Sequence, residues 1–316
     1  MRKVSCCVTF RIMLATAISA MAFAVSAAPT RAEKIRAKLD SKDRDYVFVV
    51  MHRGDWRNAP ENSVDAILGS IKKGADVVEL DVAITKDGEY VLVHDDHIGR
   101  ISNGKGKVKD LTLEEIRKFR LKGPGGKITD YKILTLKEAF DLTRGKILVN
   151  LDKFPRDPKG IAEFVKKQGM EKEVILKGSF SPAKLKKAMG SSFDSVTNGT
   201  LFYMPIVWVN RGDAMKIYNS WQSEPKSPSA YELCFGNEKQ IDVLKALKAG
   251  QNSGAPRIWI NTLWDSLCAG HTDERGFKGD ADGSWGWCLE QGATIIQTDR
   301  PVELIKYLEA KGRRKL

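Results

Sequence analysis

Short apolar runs alternate with amphipathic stretches along most of the chain. Residues 46–51 form an apolar run, residues 63–73 place apolar side chains at helical spacing, and residues 77–82 form the next apolar run. This strand–helix–strand order predicts parallel strands, because a parallel connection needs a crossover of a dozen or more residues. The first part of the chain is therefore predicted to form an α/β fold with a parallel sheet.

The segment after the second predicted strand breaks this rhythm. Residues 85–88 (TKDG) carry the Asp-Gly signature of a tight hairpin, so residues 89–94 are expected to return antiparallel to the strand before them. Residues 99–126 are rich in glycine and lysine and are predicted to form a small insertion. Helices are expected at 112–120 and 135–143, each begun by the Thr-x-x-Glu pattern of a capping box.

The strand and helix rhythm then resumes to the end of the chain. Six further strands are predicted at 147–151, 174–177, 201–207, 230–235, 257–262 and 294–298. Together with the first two they make eight parallel strands, which predicts a (β/α)8 barrel with a hairpin and a small insertion after the second barrel strand. An open doubly wound sheet is the alternative. Polar residues follow nearly every strand, which favours the barrel, and no Gly-x-Gly-x-x-Gly follows the first strand, which argues against a dinucleotide site.

The N-terminal segment differs in composition from the rest. A basic start is followed by an apolar run at 13–25 and then by the small residues Ala27 and Ala28. This pattern predicts a secretory signal peptide over residues 1–28. The alternative, a membrane anchor, needs roughly twenty apolar residues. We therefore expect an exported protein, periplasmic or secreted, with the barrel domain in residues 29–316.

Three cysteines remain after the predicted signal peptide, namely Cys234, Cys268 and Cys288. In an oxidising compartment Cys268 and Cys288 could close one disulfide across a glycine-rich segment. The alternative is three unpaired thiols. Cys234 lies within an apolar run and is expected to pack as a small hydrophobic side chain.

The formal net charge is +12, of which Arg2, Lys3 and Arg11 belong to the predicted signal peptide. A positive balance suits an anionic small molecule or a transient contact with an anionic membrane surface. Nucleic acid is not expected as a partner, because the sequence has no nucleic-acid-binding motif and no basic run interleaved with aromatics. The oligomeric state is left open, and the basic residues 311–316 are expected to fray.

Carboxylates occur in pairs on two neighbouring barrel strands. Glu79 and Asp81 are two residues apart on a strand, so both side chains point to the same face, and Asn150 and Asp152 repeat this spacing on the next barrel strand. Such carboxylates repel one another unless a cation lies between them or one is protonated. Glu79, Asp81 and Asp152 are therefore predicted to bind one divalent cation, Mg²⁺ or Ca²⁺, and the alternative is pairing with neighbouring lysines.

Two histidines end apolar strands and lie next to this acidic group in the sequence. His52 follows the first strand and His94 follows the hairpin strand. Imidazole is the most common acid or base at neutral pH, so the two are candidate catalytic residues. Arg53, beside His52, can hold a phosphate with two hydrogen bonds.

Later strands give weaker signals. Glu232 lies in mid-strand and is either a substrate-binding residue or the partner of a lysine. Asn261 and Trp264 follow an apolar run and could contact a substrate. Asp299 follows the last strand, where it would orient Arg300, cap the last helix or contact substrate.

A series of short motifs resembles the glycerophosphodiester phosphodiesterase family. In chain order they are HRG at 52–54, PENS at 60–63, ELDV at 79–82, TKDG at 85–88, VHD at 93–95 and TDRP at 298–301. The resemblance covers most of the chain after the predicted signal peptide. It implies a (β/α)8 enzyme that cleaves glycerophosphodiesters, its small-molecule substrates, to sn-glycerol 3-phosphate and an alcohol.

The resemblance also implies a role for each position that matches a family motif. These roles are acid–base catalysis for His52 and His94, metal binding for Glu79, Asp81 and Asp152, phosphate contact for Arg53, and lining or buttressing of the site for Glu61 and Asn62.

The third barrel strand departs from the family pattern. The family has Glu-x-Lys there, whereas this chain has Asp152, Lys153 and Phe154 in succession. Strand alternation would point Lys153 away from Asp152. Two alternatives follow: Lys177, at the end of the next strand, supplies the missing positive charge and binds substrate, or the strand bends so that Lys153 turns in.

Other functions fit the same residues. The site could act on lysophospholipid or sphingolipid headgroups, as a phospholipase D-like enzyme does. The altered third strand also suits a non-catalytic barrel that binds an anion or a metal. A secreted structural barrel with an interaction role is the remaining alternative.

Overall fold

The computed structural model describes residues 28–239 and 241–315, so the predicted signal peptide lies outside the described residues except for Ala28. The described strands are β1 (Phe48–Met51), β2 (Val77–Ile84), β3 (Tyr90–Leu92), β4 (Leu148–Asp152), β5 (Val174–Gly178), β6 (Phe202–Trp208), β7 (Ala230–Cys234), β8 (Arg257–Asn261) and β9 (Ala293–Thr298). The helices are α1 (Arg31–Asp40), α2 (Val64–Lys72), α3 (Leu113–Ile116), α4 (Leu136–Thr143), α5 (Pro158–Lys167), α6 (Pro182–Met189), α7 (Asp194–Thr197), α8 (Ala214–Gln222), α9 (Asp242–Ala249), α10 (Asp265–Cys268), α11 (Asp273–Phe277), α12 (Trp287–Glu290) and α13 (Pro301–Ala310). Among these described helices, none has the length and apolar character needed to cross a membrane.

Eight parallel strands close into a barrel. Their order is β1, β2, β4, β5, β6, β7, β8 and β9, and β9 pairs back onto β1 with Met51 opposite Thr298. Each overlaps the strand predicted for it. The (β/α)8 prediction is confirmed, and the open doubly wound sheet is wrong.

The hairpin after β2 is also confirmed. β3 runs antiparallel to β2, with Val82 opposite Leu92 and Ile84 opposite Tyr90. The insertion that follows has its own apolar cluster, formed by Ala83, Val91, Val93, Ile98, Ile101, Val108, Ile116, Leu121 and Ile133. Helices α3 and α4 begin with the predicted capping boxes, although α3 ends at Ile116, earlier than expected. The cluster fixes the hairpin to the end of β2 and so holds the residues after β3 at the rim of the barrel.

The inward-facing side chains of the barrel change from apolar to polar along the strands. At the amino end, Phe48, Val77, Leu148, Ile175, Phe202, Trp259 and Ile295 form one cluster with Ala32, Ile35 and Leu39 of α1. Helix α1 therefore closes the amino end of the barrel. The polar inward positions, including Glu79, Asp152 and Asn261, lie towards the carboxyl ends, where barrel enzymes place their chemistry.

A buried arginine holds α1 in this position. The guanidinium of Arg257 donates hydrogen bonds to the backbone oxygens of Lys38, Leu39, Ser41 and Asp43, at distances from 2.8 to 3.1 Å. It thus satisfies carbonyl groups at the carboxyl end of a helix, where positive charge is favoured.

Arg257→Met is expected to lower the free energy of unfolding by about 2–4 kcal/mol, because these buried carbonyls lose their donors. Urea denaturation followed by circular dichroism measures the change. Lys34→Met, at an exposed position on the same helix, is the control and should change stability by less than about 0.5 kcal/mol. Equal stability of the two variants would contradict this role of Arg257.

The structure decides between the two alternatives for the cysteines and changes one expectation about the C-terminus. Among the described residues, Cys268 and Cys288 are buried and not bonded to each other, so the unpaired alternative holds for this pair; Cys234 is buried as predicted. The basic C-terminal segment was expected to fray, but it is held by hydrogen bonds as far as Arg314. Arg313 donates to the backbone oxygen of Asp45, and Arg314 donates to Gly74 O at 2.8 Å and pairs with the buried carboxylate of Asp76.

Candidate active site

A cavity of about 510 Å³ opens at the carboxyl ends of the barrel strands. The predicted site residues that line it are His52, Arg53, Glu79, His94, Asp152, Lys177, Glu232 and Asn261. The other three predicted site residues are Glu61, Asn62 and Asp81. They do not line the cavity, but each contacts Arg53, which does. The fold therefore gathers residues from most of the strands into one site.

Three carboxylates form a compact group at the base of this cavity. Each of Glu79, Asp81 and Asp152 offers an oxygen, and these oxygens lie within 4.8 Å of one another. Asp81 and Asp152 are direct partners in the register of β2 and β4, which explains their proximity. Burial, together with the charge of Asp81, raises the pKa of Glu79 to about 7. Asp81 Oδ1 is buried and has no hydrogen-bond partner among the described residues, so the group fits a hard divalent cation, which prefers oxygen ligands.

Asn62 fixes the position of Asp81. Its Nδ2 donates to Asp81 Oδ2 at 3.0 Å, and its Oδ1 accepts from the Asp81 backbone N–H at 3.2 Å. Asn62 has φ of 58°, in the left-handed region that asparagine tolerates better than most residues. The PENS motif thus buttresses a carboxylate.

Arg53 lies over the carboxylates because the chain turns sharply after β1. Its backbone N–H donates to Glu79 Oε2 at 2.9 Å, and its Nε lies 3.3 Å from Asp81 Oδ2. Glu61 approaches the other end of the guanidinium, 3.4 Å from one terminal nitrogen. Gly54 completes the turn with φ of 73°, and a Cβ there would lie 2.7 Å from the Ala66 backbone, which only glycine avoids. The HRG motif therefore has a structural requirement at its third position.

His94 is half-buried at the rim and is held by a chain of charged groups. Its Nδ1 is 2.6 Å from Asp95 Oδ1, and Asp95 Oδ2 accepts from Arg100 Nε at 2.5 Å. Arg100 in turn makes two hydrogen bonds to Glu61, at 2.7 and 2.8 Å. Arg156 donates to His94 O at 3.0 Å and secures the backbone. With Nδ1 occupied, Nε2 of His94 is the nitrogen available to a substrate.

His52 is more deeply buried and has a different partner. Its Nδ1 lies 3.0 Å from Asp299 Oδ1, and the edge of its ring meets Trp264 with centroids 5.5 Å apart. Burial alone would lower the pKa of His52, but the hydrogen bond to Asp299 and the charge of Glu79 raise it. Asp299 therefore neither orients Arg300 nor caps the last helix, since Arg300 pairs with Glu274 and α13 has no side-chain cap.

Both sources of positive charge proposed for the altered third strand are present beside Asp152. β4 ends at Asp152, and Lys153 takes φ of 62°, so the strand alternation stops there. Lys153 Nζ then lies 3.1 Å from Asp152 Oδ2, and Phe154 is buried in the core. Burial alone would raise the pKa of Asp152, but Lys177 and Lys153 hold it well below its usual range.

Lys177 is the more buried of the two lysines. Its Nζ lies 3.1 Å from Glu232 Oε2, and Glu232 Oε1 accepts from Asn261 Nδ2 at 2.9 Å. Trp259 Nε1 donates to Asn261 Oδ1 at 2.7 Å. Although burial opposes its charge, the carboxylates of Glu232, Asp152 and Glu79 raise the pKa of Lys177. The ammonium group therefore stays charged at the base of the cavity.

Lys177→Met is expected to lower kcat/KM for a phosphodiester by about 10²-fold, whereas Lys153→Met, at a more exposed position, should cost about tenfold or less. The double variant Lys177→Met/Glu232→Leu removes both charges of the buried pair, so it should recover much of any lost stability without recovering activity. Thermal melts and steady-state kinetics on the three variants measure these effects. Wild-type kinetics in Lys177→Met would assign the role to Lys153.

Sequence reasoning missed the groups that hold the two histidines. Asp95, itself bound by Arg100, holds His94, while Asp299 holds His52 and accepts a hydrogen bond from Trp56. The position of Asp299 directly after a strand, like that of His52, did indicate that it lies near the site. Arg100 carried none, since its approach to Glu61 depends on how the insertion folds.

Comparison with known proteins finds a different family for each of two regions of the chain. Residues 52–198 match the glycerophosphoryl diester phosphodiesterase family, and residues 203–308 match a family described as a domain of unknown function. A glycerophosphodiester phosphodiesterase of Caldanaerobacter subterraneus subsp. tengcongensis is 39% identical over 137 residues, which are 41% of this chain and 56% of the relative. Glycerophosphodiester phosphodiesterase 1 of Mus musculus is 43% identical over 104 residues, 31% of this chain and 30% of the relative. The chain thus spans about half or less of the length of these curated relatives.

Solved structures extend the similarity over the whole barrel. A crystal structure of a glycerophosphoryl diester phosphodiesterase from Parabacteroides distasonis superposes with a TM-score of 0.69 and 25% identity, covering 89% of this chain and 92% of that one. An Oleispira antarctica phosphodiesterase, solved in complex with the product sn-glycerol-3-phosphate, shares the fold with a TM-score of 0.60 at 17% identity, covering 83% and 96% of the two chains. The motifs, the barrel and the match over residues 52–198 together support the glycerophosphodiester phosphodiesterase family for this chain.

Proposed function

We propose that the protein is a metal-dependent phosphodiesterase that hydrolyses glycerophosphodiesters to sn-glycerol 3-phosphate and an alcohol. The observation that carries this proposal is the grouping, around one cavity, of three carboxylates with oxygens within 4.8 Å and of two histidines whose Nδ1 atoms are each held by an aspartate. The match to the family supports the same activity. The solved relative with bound sn-glycerol-3-phosphate supports the product.

Glu79, Asp81 and Asp152 would hold a divalent cation, either Mg²⁺ or Ca²⁺. When bound, such an ion neutralises phosphodiester charge as a Lewis acid. Arg53, held by Glu61 and by the backbone contact to Glu79, would contact a phosphate oxygen and stabilise the charge that develops there.

The two histidines would divide the proton transfers. We assign His52 as the base that removes a proton from the nucleophile and His94 as the acid that protonates the departing alcohol oxygen. The nucleophile in this scheme is a hydroxyl of the substrate's own glycerol, which gives a cyclic phosphate that water then opens. Entry of solvent oxygen with a single inversion at phosphorus, and no trapped cyclic phosphate, would contradict this route.

The decisive test of the activity is release of sn-glycerol 3-phosphate. A coupled assay with glycerophosphocholine, glycerophosphoethanolamine and glycerophosphoinositol, with and without a chelator, should show turnover of at least one substrate. Turnover should stop with the chelator and return with Mg²⁺ or Ca²⁺. If the metal-loaded protein turns over none of the three, the proposal fails and a non-catalytic anion-binding barrel becomes the better account.

The lining of the cavity supports a second candidate substrate. Ile206, Trp208, Leu263, Trp264 and Leu267 contribute apolar surface, which suits a more hydrophobic diester such as a lysophospholipid. Release of choline from lysophosphatidylcholine at a higher kcat/KM than from glycerophosphocholine would favour this phospholipase D-like activity. The opposite ranking would favour the soluble diester.

A further inference from the structure

Asp299 has the geometry of a group that orients His52. Its Oδ1 lies 3.0 Å from His52 Nδ1 and also accepts from Trp56 Nε1 at 2.6 Å. The two side chains are only 9% and 11% exposed, so water competes little for these contacts. A carboxylate accepts hydrogen bonds and does not donate them, which requires the proton of a neutral His52 to be on Nδ1.

A second buried aspartate holds Asp299 in place. Asp273 Oδ2 accepts from the Asp299 backbone N–H at 2.7 Å. Its Oδ1 accepts from Thr262 Oγ1, Trp285 Nε1 and Thr298 Oγ1 at 2.7 to 2.8 Å. Both carboxylate oxygens of Asp273 thus accept hydrogen bonds, and none of these four donors carries a positive charge. Asp273 lies in the segment between β8 and β9, and its hydrogen bonds to Thr298 and Asp299 join that segment to the end of β9.

These contacts link the two halves of the chain. His52 lies in the region that matches the phosphodiesterase family, whereas Asp273 and Asp299 lie in residues 203–308, which match the family of unknown function. The link spans 247 positions between His52 and Asp299. A histidine from the first region is therefore oriented by carboxylates from the second.

We propose that Asp299 is a positioning residue that holds His52 in the Nδ1–H tautomer with Nε2 directed at the cavity, and that Asp273 fixes Asp299 for this purpose. In this state Nε2 carries the lone pair that accepts a proton, and the Asp299 carboxylate stabilises the imidazolium that results. The catalytic consequence rests on the proposed function of His52 as a base. The tautomer itself does not depend on it.

Nitrogen-15 NMR of the full protein labelled at histidine tests the tautomer directly. The chain has four histidines, and comparison with a His52→Gln sample assigns the His52 signals. At about pH 9, where imidazole is neutral, the wild-type spectrum should show His52 protonated at Nδ1. An Nε2-protonated His52 in the wild type would overturn the proposal, whatever the activity.

Asp299→Asn tests the role of the carboxylate. The amide oxygen can still accept from both His52 Nδ1 and Trp56 Nε1, as Asp299 Oδ1 does, so we expect the Nδ1–H tautomer to be kept and the negative charge beside the imidazole to be lost. We therefore expect a loss of kcat of about 10- to 10²-fold, with KM changed less than about threefold. Asp265→Asn, the same change at an exposed position near the cavity, is the control and should match the wild type. An Asp299→Asn protein with the wild-type kcat would refute the positioning role.

Trp56→Phe keeps the test decisive if Asp299→Asn does not fold. It removes the other donor to Asp299 Oδ1, and should lower kcat by about 3- to 10-fold without changing the tautomer. An inactive wild type with His52 protonated at Nδ1 would count against the proposed function and leave the orientation of His52 supported.

Discussion

Asp81→Asn is expected to lower kcat/KM by about 10³-fold or more, because it removes a charge and a ligand oxygen from the three-carboxylate group. Asp81 Oδ1 is buried, and no residue in the described part of the chain bonds to it, so this oxygen is available for a cation. Its second oxygen is already committed to Asn62. An amide at this position offers only one acceptor, so it cannot serve both partners.

The same variant should lose its response to metal. Adding Mg²⁺ or Ca²⁺ to chelator-treated wild type should raise its melting temperature, since a ligand at a hundredfold excess over its Kd contributes about 2.7 kcal/mol of stability. Asp81→Asn should show little or no rise. Asp110→Asn, at an exposed aspartate paired with Lys109, is the matched control and should respond as the wild type does. Wild-type activity and a wild-type metal response in Asp81→Asn would mean that the carboxylates serve another purpose.

The fold was predictable because its signals are local and periodic. The alternation of apolar runs and amphipathic helices gave every barrel strand, since each strand buries both faces, between the barrel interior and the helices. The Asp-Gly turn predicted the hairpin for a similar reason, because a two-residue turn determines the direction of the next strand. No local pattern predicted that α1 closes the amino end of the barrel, because this contact depends on Arg257, more than two hundred residues away.

The grouping of the predicted site residues around one cavity was predictable, but their contacts were not. His52, Glu79, Asp81 and Asp152 lie on parallel strands or directly after them, and such strands present their carboxyl ends at one edge of the barrel. The partner of His52 was not, since Asp299 could turn towards any of several neighbours after β9. Lys153 shows the same limit, because strand alternation applies only while the backbone stays extended, and its φ of 62° ends that alternation.

Glu61 is a predicted site residue that acts through its neighbours. It was expected to line or buttress the site, and in the structure it contacts Arg53 and Arg100 and lies outside the cavity lining. Through Arg53 it reaches the proposed phosphate position, and through Arg100 and Asp95 it reaches His94. The insertion is therefore connected to the proposed active site by a short series of ion pairs.

His94→Gln and His52→Gln are each expected to lower kcat for glycerophosphocholine by about 10²–10⁴-fold with little change in KM, because each removes one proton transfer in the transition state. His97→Gln is the matched control. His97 is exposed on the insertion and lies only three residues from His94, so its kinetics should equal those of the wild type.

A diester with a good leaving group separates the two roles. Departure of 4-nitrophenolate needs no proton, so His94→Gln should recover most of its activity on a 4-nitrophenyl glycerol phosphodiester, provided that His94 is the acid. His52→Gln should stay impaired on both substrates, because the nucleophile still has to lose its proton. The structure gives a reason for this division, since His52 is buried against a fixed carboxylate while His94 sits half-exposed at the rim, where the alcohol would leave. Recovery of His52→Gln in place of His94→Gln would reverse the two assignments, and recovery of neither would indicate that both histidines act before the leaving group departs.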